Sequence, residues 1–365
     1  MHPSIIAILI SFIVCLALYG ISQRLIWLVR RIDQSAPQSA HTHPALRLGG
    51  IGVFVSISLT QMIFFNDPDL LSKLIFCSIP LLIFGLLEDV GIHQPPLIRF
   101  ISAIFSSVMF IALTGTYLQE PGIFFLNPIF EYYFIGWLFT IFITSGIVNA
   151  FNLIDGLNGL TGLAALSAAA GIAAVSHIYG LDIIVSISVI CGAIIGFLFL
   201  NFPFGKIFLG DAGAYGIGFI LSWLSIEVLK NAPEVSPWAM LMMFFWPCAD
   251  TLVTISRRLI SNKPISRPDR LHFHQVVMRS LEISVLGRGR RKYANPLATI
   301  TLFPFIALPP LLAVLFADNN LFCSILVGLF MVLFASTYCV LIKLAAKFRR
   351  NNYHRHFARG TEHKD

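Results

Sequence analysis

The amino-acid sequence predicts an all-α polytopic membrane protein with about eleven transmembrane helices. Of its 365 residues 57% are hydrophobic and only 12% are charged, which is about half the charge of an average soluble chain. Apolar runs long enough to cross a hydrocarbon core of ~30 Å recur along the whole length. An uneven distribution of basic residues between alternate loops then predicts which end of each span faces the cytoplasm.

Eleven apolar runs are the predicted spans, and the third of them is the shortest. The first run has no basic residue before it, so we expect a retained span rather than a cleaved signal. The runs fall near 4–23, 48–65, 74–87, 97–117, 132–150, 159–177, 182–200, 212–229, 238–257, 297–316 and 321–342.

The basic residues set the predicted orientation. When loops are assigned to alternate sides, all of the 25 lysines and arginines except Lys73 and Lys230 fall on one side. The positive-inside rule places that side in the cytoplasm, with the amino terminus outside and the carboxyl terminus inside. Basic segments that flank spans favour anionic lipid headgroups as neighbours, and no nucleic-acid partner is expected.

The domain prediction follows from the same assignment. Residues 1–346 form one transmembrane catalytic domain, and 347–365 form a basic cytoplasmic tail. The chemically loaded loops all lie on the cytoplasmic side, at 24–47, 88–99, 149–158, 201–211 and 257–296.

The stretch NAFNLIDGLNGL, from Asn149 to Leu160, carries three asparagines, an aspartate and two glycines between two long apolar runs. Asn149, Asn152 and Asp155 are three residues apart, so on a helix they share one face. Asp155-Gly156 predicts a turn, and carboxylate with amide oxygens suits a hard cation or a polar ligand. A helix-ending turn with capping asparagines is the alternative. The active-site interpretation is favoured because capping turns would occur on both faces.

An acidic pair, Glu88-Asp89, ends the third span. Adjacent carboxylates repel each other, so the pair predicts a cation, a base role or an ion pair with Arg99. An exposed acid pair at a helix end is the alternative.

The segment from Asn201 to Phe219 reads NFPFGKIFLGDAGAYGIGF. Gly210 and Asp211 directly precede the eighth span, where small residues and a helix amino terminus favour a phosphate and an aspartate offers the oxygen that Mg²⁺ prefers. Lys206 would neutralise phosphate charge. The later glycines of the segment are better explained by close helix packing.

Two histidines lie in the sequence RPDRLHFHQ. His272 and His274 flank one aromatic residue, so we expect an extended loop that contacts a diphosphate or transfers protons. No cysteine or third histidine lies nearby, which makes a zinc site less favourable. We expect Asp250, seven residues before Arg257 in the ninth span, to be a buried partner of a nearby arginine.

Together these segments predict a diphosphate-bearing substrate, a divalent metal and a lipid co-substrate. Phosphoryl transfer needs mainly positioning and charge neutralisation. The rival is a transporter or a lipid-linked-sugar flippase, which usually keeps ionisable residues near the bilayer midplane and often has repeated halves. The acids of this chain lie at loop ends, and no internal repeat is visible.

With these motifs in their order, the chain resembles the polyprenyl-phosphate N-acetylhexosamine-1-phosphate transferases. HTHPALRLGG matches an H-x-x-P-x-x-R-x-G-G loop, and Glu88-Asp89 followed by Arg99 matches an acidic-pair motif. NAFNLIDGLNGL, FLGDAG and the histidine loop complete the set, so the resemblance extends over nearly the whole chain.

The resemblance implies transfer of a HexNAc-1-phosphate from a UDP-N-acetylhexosamine to undecaprenyl phosphate, with release of UMP. It implies Mg²⁺ as cofactor, with Mn²⁺ as a substitute, and a bacterial cytoplasmic membrane as location; a homodimer stays open. The implied metal ligands are Asp211, Asn152 and Asp155. The implied catalytic residues are Glu88, Asp89, Asp155, His272 and His274. The implied donor-binding residues are Asn149, Asn152, Phe208 (stacked on uracil), Lys206, Arg99 and Gly210.

Three departures from the family pattern refine this expectation. Glu88 stands where the family usually has aspartate, so the acid reaches one methylene further. Asn158 replaces an acid, which makes it a structural rather than a catalytic residue. The histidine loop lacks the triple histidine of the phospho-MurNAc-pentapeptide transferases, so the O-antigen or surface-glycan branch is favoured and the peptidoglycan branch is the alternative.

Overall fold

The structure, a computed structural model, describes residues 2–24, 46–65, 69–130, 132–264, 269, 271–287 and 289–361, with side chains described up to residue 344. Several residues of the predicted cytoplasmic loops lie outside this description, among them His41, Pro44, Arg267 and Arg270.

The described chain is built from helices, with one isolated parallel bridge between Leu46 and Ile207. A 3-10 turn at Phe124–Leu126 precedes the short helix Asn127–Phe130, and a π-helix at Glu282–Leu286 follows the helix Phe273–Leu281. The α-helices are α1 Pro3–Arg24, α2 Gly49–Phe64, α3 Leu70–Asp89, α4 Pro96–Thr114, α5 Asn127–Phe130, α6 Tyr133–Ile154, α7 Leu160–Ile178, α8 Ile184–Asn201, α9 Gly210–Asn231, α10 Pro237–Met242, α11 Phe245–Ile260, α12 Phe273–Leu281, α13 Arg291–Leu315 and α14 Asn320–Thr361.

Nine helices of the described residues are long and apolar enough to cross a membrane: α1, α3, α4, α6, α7, α8, α9, α13 and the part of α14 up to Leu344. The all-α polytopic class is therefore confirmed. Helix α2, with 16 residues, and the pair α10–α11 occupy the other two predicted spans. The third span, expected at 74–87, is longer than predicted and runs from Leu70 to Asp89. The predicted domain boundary after residue 346 falls within α14 and stays a prediction, as does the orientation.

The ninth predicted span is broken rather than continuous. Helix α10 ends at Met242 and α11 begins at Phe245. Pro247 lies in the first turn of α11, where it has no N–H to donate and where its ring would clash with the carbonyl of Met243 in an uninterrupted helix. The break places Asp250 one turn inside α11.

Helix α9 is the centre of the bundle. It is buried over nearly all of its length and contacts α3, α6, α2 and α7. Small residues permit the close approach of α2: a Cβ atom on Gly213 would lie 2.7 Å from the Cα of Gly50, and one on Gly50 would lie 2.5 Å from the Cα of Gly213. The packing interpretation of the later glycines in this segment is confirmed.

The segments that precede α2 and α9 lie side by side. The N–H of Phe208 donates to the carbonyl of Leu46 over 2.7 Å, and those of Gly49 and Gly50 donate to Phe208 and Leu209, each over 2.8 Å. This pairing fixes the first turn of α9 against the first turn of α2. The predicted functional segments gather around that point.

Candidate active site

Asp89 anchors the start of α9. Its two carboxylate oxygens accept the backbone N–H groups of Asp211, over 2.9 Å, and Ala212, over 3.0 Å. The first N–H groups of a helix have no partner within the helix, and a carboxylate there also interacts favourably with the helix dipole. Asp89 is only 4% exposed. The second acid of the predicted pair therefore locks the end of α3 to the beginning of α9, and its predicted catalytic role is not tested by this contact.

Asp211 projects from the first turn of α9 and forms an ion pair with Arg99 of α4. Glu88 also acts electrostatically on Arg99. The Glu88 carboxylate accepts the N–H of Gln94 over 2.6 Å and lies 3.1 Å from the Nδ1 atom of His93. Among the described contacts, the ion-pair partner of Arg99 is therefore Asp211 rather than the predicted acidic pair, and Glu88 acts on Arg99 only electrostatically.

The asparagines of NAFNLIDGLNGL have different surroundings. The Asn149 side chain donates to the carbonyl of Ser145, one turn earlier in α6, over 2.8 Å. The Asn152 side-chain oxygen accepts the hydroxyl of Tyr215 from α9 over 3.3 Å. Asn152 is therefore directed toward α9 and the acids, whereas Asn149 is tied to its own helix.

Asp155 follows the last residue of α6 and joins the same cluster. Its carboxylate accepts the hydroxyl of Thr161 over 3.0 Å and is faced by the backbone N–H of Gly210. Asp211 and Arg47 both act on it electrostatically, and Arg47 acts in the same way on Asp89. Three aspartates and two arginines thus surround the first turn of α9.

The Asp155 carboxyl gives a pH-dependent contribution to stability. Burial raises the pKa of Asp155 from about 3.8 to about 6, against the opposing hydrogen bond from Thr161. Between about pH 4 and pH 6 the folded protein holds a proton that the unfolded chain has released. This contribution is fully present below about pH 4 and is lost as the pH rises through about 6.

We therefore expect the Tm of the ligand-free protein to fall between about pH 4 and pH 6, relative to the Tm of Asp155→Asn under the same conditions. Thermal unfolding of both proteins in one detergent checks this. Parallel pH profiles of the two proteins would contradict the environment assigned to Asp155.

The donor set determines what kind of cation the cluster accepts. Among the described residues, no three or more His, Cys, Asp or Glu side chains are arranged to hold a metal by themselves. Mg²⁺ usually keeps several waters and is held by one or two carboxylates together with substrate phosphates. Asp155 and Asp211, which repel each other, with the amide oxygen of Asn152 nearby, fit a cation that is shared with a bound diphosphate.

The histidine segment lies beside the Asp155-Gly156 turn. A Cβ atom on Gly156 would lie 3.1 Å from the Nε2 atom of His274. His274 is completely buried, and burial lowers its pKa, so the ring is neutral at neutral pH. The structure corrects the expectation of an extended loop: His272 precedes α12, and His274 lies in its first turn. The rings nevertheless stack, with centroids 5.6 Å apart.

The expected arginine partner of Asp250 is wrong for Arg257 and Arg258. Both arginines pair with Asp269, Arg258 through its Nε atom over 3.3 Å. Asp250 instead accepts the N–H of Phe273 over 2.8 Å and lies 3.0 Å from the Nδ1 atom of His272. The reason is geometric, because the arginines lie two turns further along α11, next to the loop that carries Asp269.

Two predicted donor-binding residues have contacts other than those expected: Lys206 lies near aromatic rings, and Phe208 is covered. The ammonium group of the exposed Lys206 lies 5.2 Å from the ring centroid of Phe204 and 5.8 Å from that of Tyr19. The Phe208 side chain is 5% exposed, so uracil would reach its ring only after its cover rearranges. Phosphate binding by Lys206 and stacking by Phe208 stay predictions.

Asn158 has structural contacts, as expected from its departure from the family pattern. Its side chain donates to the carbonyl of Pro203 over 2.8 Å, and its backbone N–H donates to the side chain of Asn295 over 2.8 Å. Thr299 donates to its carbonyl. Asn158 therefore joins the α6–α7 turn to α13 and to the loop after α8.

Three residues of the cluster were not among the predicted site residues: Arg47, Tyr215 and Asp250. Arg47 belongs to the quoted HTHPALRLGG motif, which could have drawn attention to it. Asp250 is a carboxylate inside an apolar run, a position that marks functional sites in membrane proteins. No sequence signal singles out Tyr215, since its hydroxyl meets Asn152 only through the packing of α9 on α6.

Gly210 is required at the start of α9. Its φ of +76° is unfavourable for side chains, and a Cβ atom would meet the carbonyl oxygen of Arg47 and lie 2.6 Å from the Oδ2 atom of Asp89. We expect Gly210→Ala to destabilise the protein by about 2–4 kcal/mol, from backbone strain and overpacking combined. Thermal unfolding measures the loss. Gly146→Ala is the matched control, because nothing lies within 4 Å of its Cβ position, and an equal loss in both variants would contradict the argument.

Comparison of the chain with known proteins shows which family it resembles. A model of the family described as glycosyl transferase family 4 matches residues 71–229, which include Glu88, Asp89, Asp155 and Asp211. A probable undecaprenyl-phosphate N-acetylglucosaminyl 1-phosphate transferase of Bacillus subtilis (strain 168) is 28% identical over 279 residues, which are 75% of this chain and 77% of the relative.

Two enterobacterial relatives are named undecaprenyl-phosphate alpha-N-acetylglucosaminyl 1-phosphate transferase. The protein of Yersinia pestis is 25% identical over 74% of this chain and 75% of its own length. That of Escherichia coli (strain K12) is 29% identical over 64% of this chain and 65% of its own length. The family match across the acid-bearing helices and the long alignments with these relatives support the assignment of this chain to glycosyl transferase family 4.

Proposed function

We propose that this chain transfers a HexNAc-1-phosphate from a UDP-N-acetylhexosamine to undecaprenyl phosphate, and that it releases UMP. The reaction would take place at the cytoplasmic face of a bacterial inner membrane and begin a lipid-linked glycan of the O-antigen or surface-polysaccharide type. The observation that carries the proposal is the convergence of Asp211, Asp155 and Arg99 at the first turn of α9. The names of the curated relatives supply the substrate class.

The proposed reaction is a displacement at the β-phosphorus of the donor. An oxygen of the acceptor phosphate forms the new P–O bond, and the bond between the β-phosphorus and the oxygen that bridges to the α-phosphorus breaks. The electron pair leaves with UMP, and the sugar stays on the phosphorus that is transferred. The protein's contribution to such a reaction is positioning and charge stabilisation.

The residues of the cluster have complementary parts in this proposal. Arg99 and Arg47 neutralise the diphosphate, while the α9 amino terminus brings the positive end of its helix dipole to the same place. Asp155, Asp211 and Asn152 would hold Mg²⁺, or Mn²⁺ in its place, which supplies further charge neutralisation for the diphosphate. His274, neutral and buried beside Gly156, offers an imidazole nitrogen to the bound phosphates.

The direct test is purified protein in detergent or nanodiscs with undecaprenyl phosphate, Mg²⁺ and a panel of donors. UDP-GlcNAc, UDP-GalNAc, UDP-FucNAc, UDP-QuiNAc and UDP-MurNAc-pentapeptide are supplied separately, and UMP release and the lipid product are measured. We expect UMP with a simple UDP-HexNAc and only when the acceptor is present. Turnover confined to UDP-MurNAc-pentapeptide would assign the peptidoglycan branch, and no UMP from any donor would overturn the proposal.

A further inference from the structure

We propose that Asp250 is a positioning residue, which fixes the tautomer and the orientation of His272 and His274 so that the Nε2 atom of His274 faces the Asp155-Gly156 turn. Asp250 lies in α11, in a run that is otherwise apolar up to Arg257 apart from hydroxyl side chains. Its side chain is 1% exposed. A buried carboxylate is costly unless specific partners hold it, and the partners of Asp250 among the described residues are all in the histidine segment.

The hydrogen bonds of Asp250 define the tautomer. One oxygen accepts the backbone N–H of Phe273 over 2.8 Å, and the other lies 3.0 Å from the Nδ1 atom of His272. A carboxylate only accepts hydrogen bonds, so the Nδ1 atom of His272 carries a proton, and in the neutral form of the ring the lone pair is on Nε2. The Nδ1 atom of His274 lies 3.5 Å from the same carboxylate oxygen, which favours the same tautomer in the second ring.

The orientation of His274 follows from this anchor. Among the described residues its Nε2 atom has no hydrogen-bond partner, although the side chain is completely buried. Buried polar groups are seldom left unpaired. The Nε2 atom lies beside Gly156, next to the turn that carries Asp155. An unpaired nitrogen aimed at that turn is suited to a ligand that binds between the acids and α12.

The backbone between the two histidines is held independently on its other side. The Phe273 ring packs against Trp246, with centroids 5.1 Å apart, and against Phe334, with centroids 4.6 Å apart. The Tyr338 hydroxyl donates to the carbonyl of Leu271 over 2.7 Å. These contacts hold the backbone in place without Asp250. Removing the Asp250 charge should therefore change the tautomer and the orientation of the two histidine rings more than it changes the fold.

Asp250→Asn is the sharpest variant. An asparagine can still accept the Phe273 N–H, but its NH₂ group then faces His272, and the ring proton must move to Nε2. This inference rests on the proposed transferase reaction for its kinetic readout. We expect kcat to fall by about 10²-fold or more, as for other residues that orient a catalytic imidazole, while the KM for the UDP-sugar changes less than about 3-fold.

A double-mutant cycle separates positioning from general structure. In a His272→Ala/His274→Ala background no ring remains to be oriented, so Asp250→Asn should lower the residual kcat by less than about 3-fold. Glu227→Gln is the matched control: Glu227 is also a buried membrane acid and accepts the Thr116 hydroxyl over 2.6 Å, but it lies near the opposite end of α9. We expect it to lower Tm without a selective loss of kcat.

A spectroscopic measurement tests the tautomer without turnover. In ¹⁵N-histidine-labelled wild-type protein, titrated with base until the ring is neutral, the signal that His272→Ala removes should be that of the Nδ1–H tautomer, and it should change to the Nε2–H form in Asp250→Asn. An Nε2–H signal in the wild type, an unchanged signal in the variant, near-normal kcat, or an additive cycle would each overturn the inference. If Asp250→Asn fails to fold, the wild-type signal alone decides. If no donor yields UMP, the proposed reaction fails and the tautomer still tests Asp250.

Discussion

Asp211→Asn is expected to lower turnover by at least about 10²-fold while the protein stays folded. The carboxylate lies at the start of the central helix, pairs with Arg99, and repels both Asp89 and Asp155. Removing one negative charge from three neighbouring acids relieves repulsion, which offsets the lost ion pair. Turnover has no such compensation, because the charge that positions a cation and the diphosphate is gone. The loss of one electrostatic contact at a reacting centre typically lowers kcat by about 10²–10³-fold.

The measurement is UMP release beside thermal unfolding of the same preparation. Asp182→Asn is the control, since Asp182 is an exposed aspartate outside the cluster, and we expect it to keep near-normal values in both assays. Near-normal turnover of Asp211→Asn, or turnover that survives thorough chelation of divalent metals, would remove the argument that this acid holds the cation.

The fold was predictable because hydropathy alone encodes membrane spans. Each of the eleven apolar runs corresponds to a helix or to a broken helix. The break before Phe245 was not predicted. Pro247 causes it, but the residues around the break are apolar, and hydropathy therefore shows one continuous span. Hydropathy likewise ended the third span too early, since Asp89 is part of α3 despite its charge.

The sequence predicted which residues belong to the site better than it predicted which of them contact each other. Sequence patterns placed Asp89, Asp155, Asp211 and His274 in one functional region, because polar residues at span ends are conspicuous in an apolar chain. They could not show that Asp89 binds the backbone of α9 or that Asp250 binds a histidine. Such contacts join residues far apart along the chain, and they depend on which helices are neighbours, a property that no local spacing records.

Asp89→Asn is the second large effect, and it should differ in kind from that of Asp211→Asn. An asparagine has one accepting oxygen, so one of the two N–H groups at the start of α9 would face an NH₂ group instead of a carboxylate oxygen. Losing a charge-assisted bond and leaving a buried donor unpaired costs about 2–3 kcal/mol, and the relief of repulsion from Asp211 offsets part of this cost. We expect a lower Tm, and turnover reduced by at least about 10²-fold because the first turn of α9 carries the site.

A second helix-capping aspartate makes this prediction specific. Asp69 accepts the N–H of Ser72 over 3.0 Å at the opposite end of α3, about 30 Å from Asp89 by the rise of a helix of this length. Asp69→Asn should also lower Tm, but turnover of the folded fraction should stay close to wild type. If Asp89→Asn lost turnover with an unchanged Tm, its carboxylate would act on substrate rather than on α9. If both variants lost turnover equally, helix capping in general would explain the result. If both variants lost stability and only Asp89→Asn lost turnover, the contact between Asp89 and the first turn of α9 would be needed both for the packing of α3 on α9 and for the reaction.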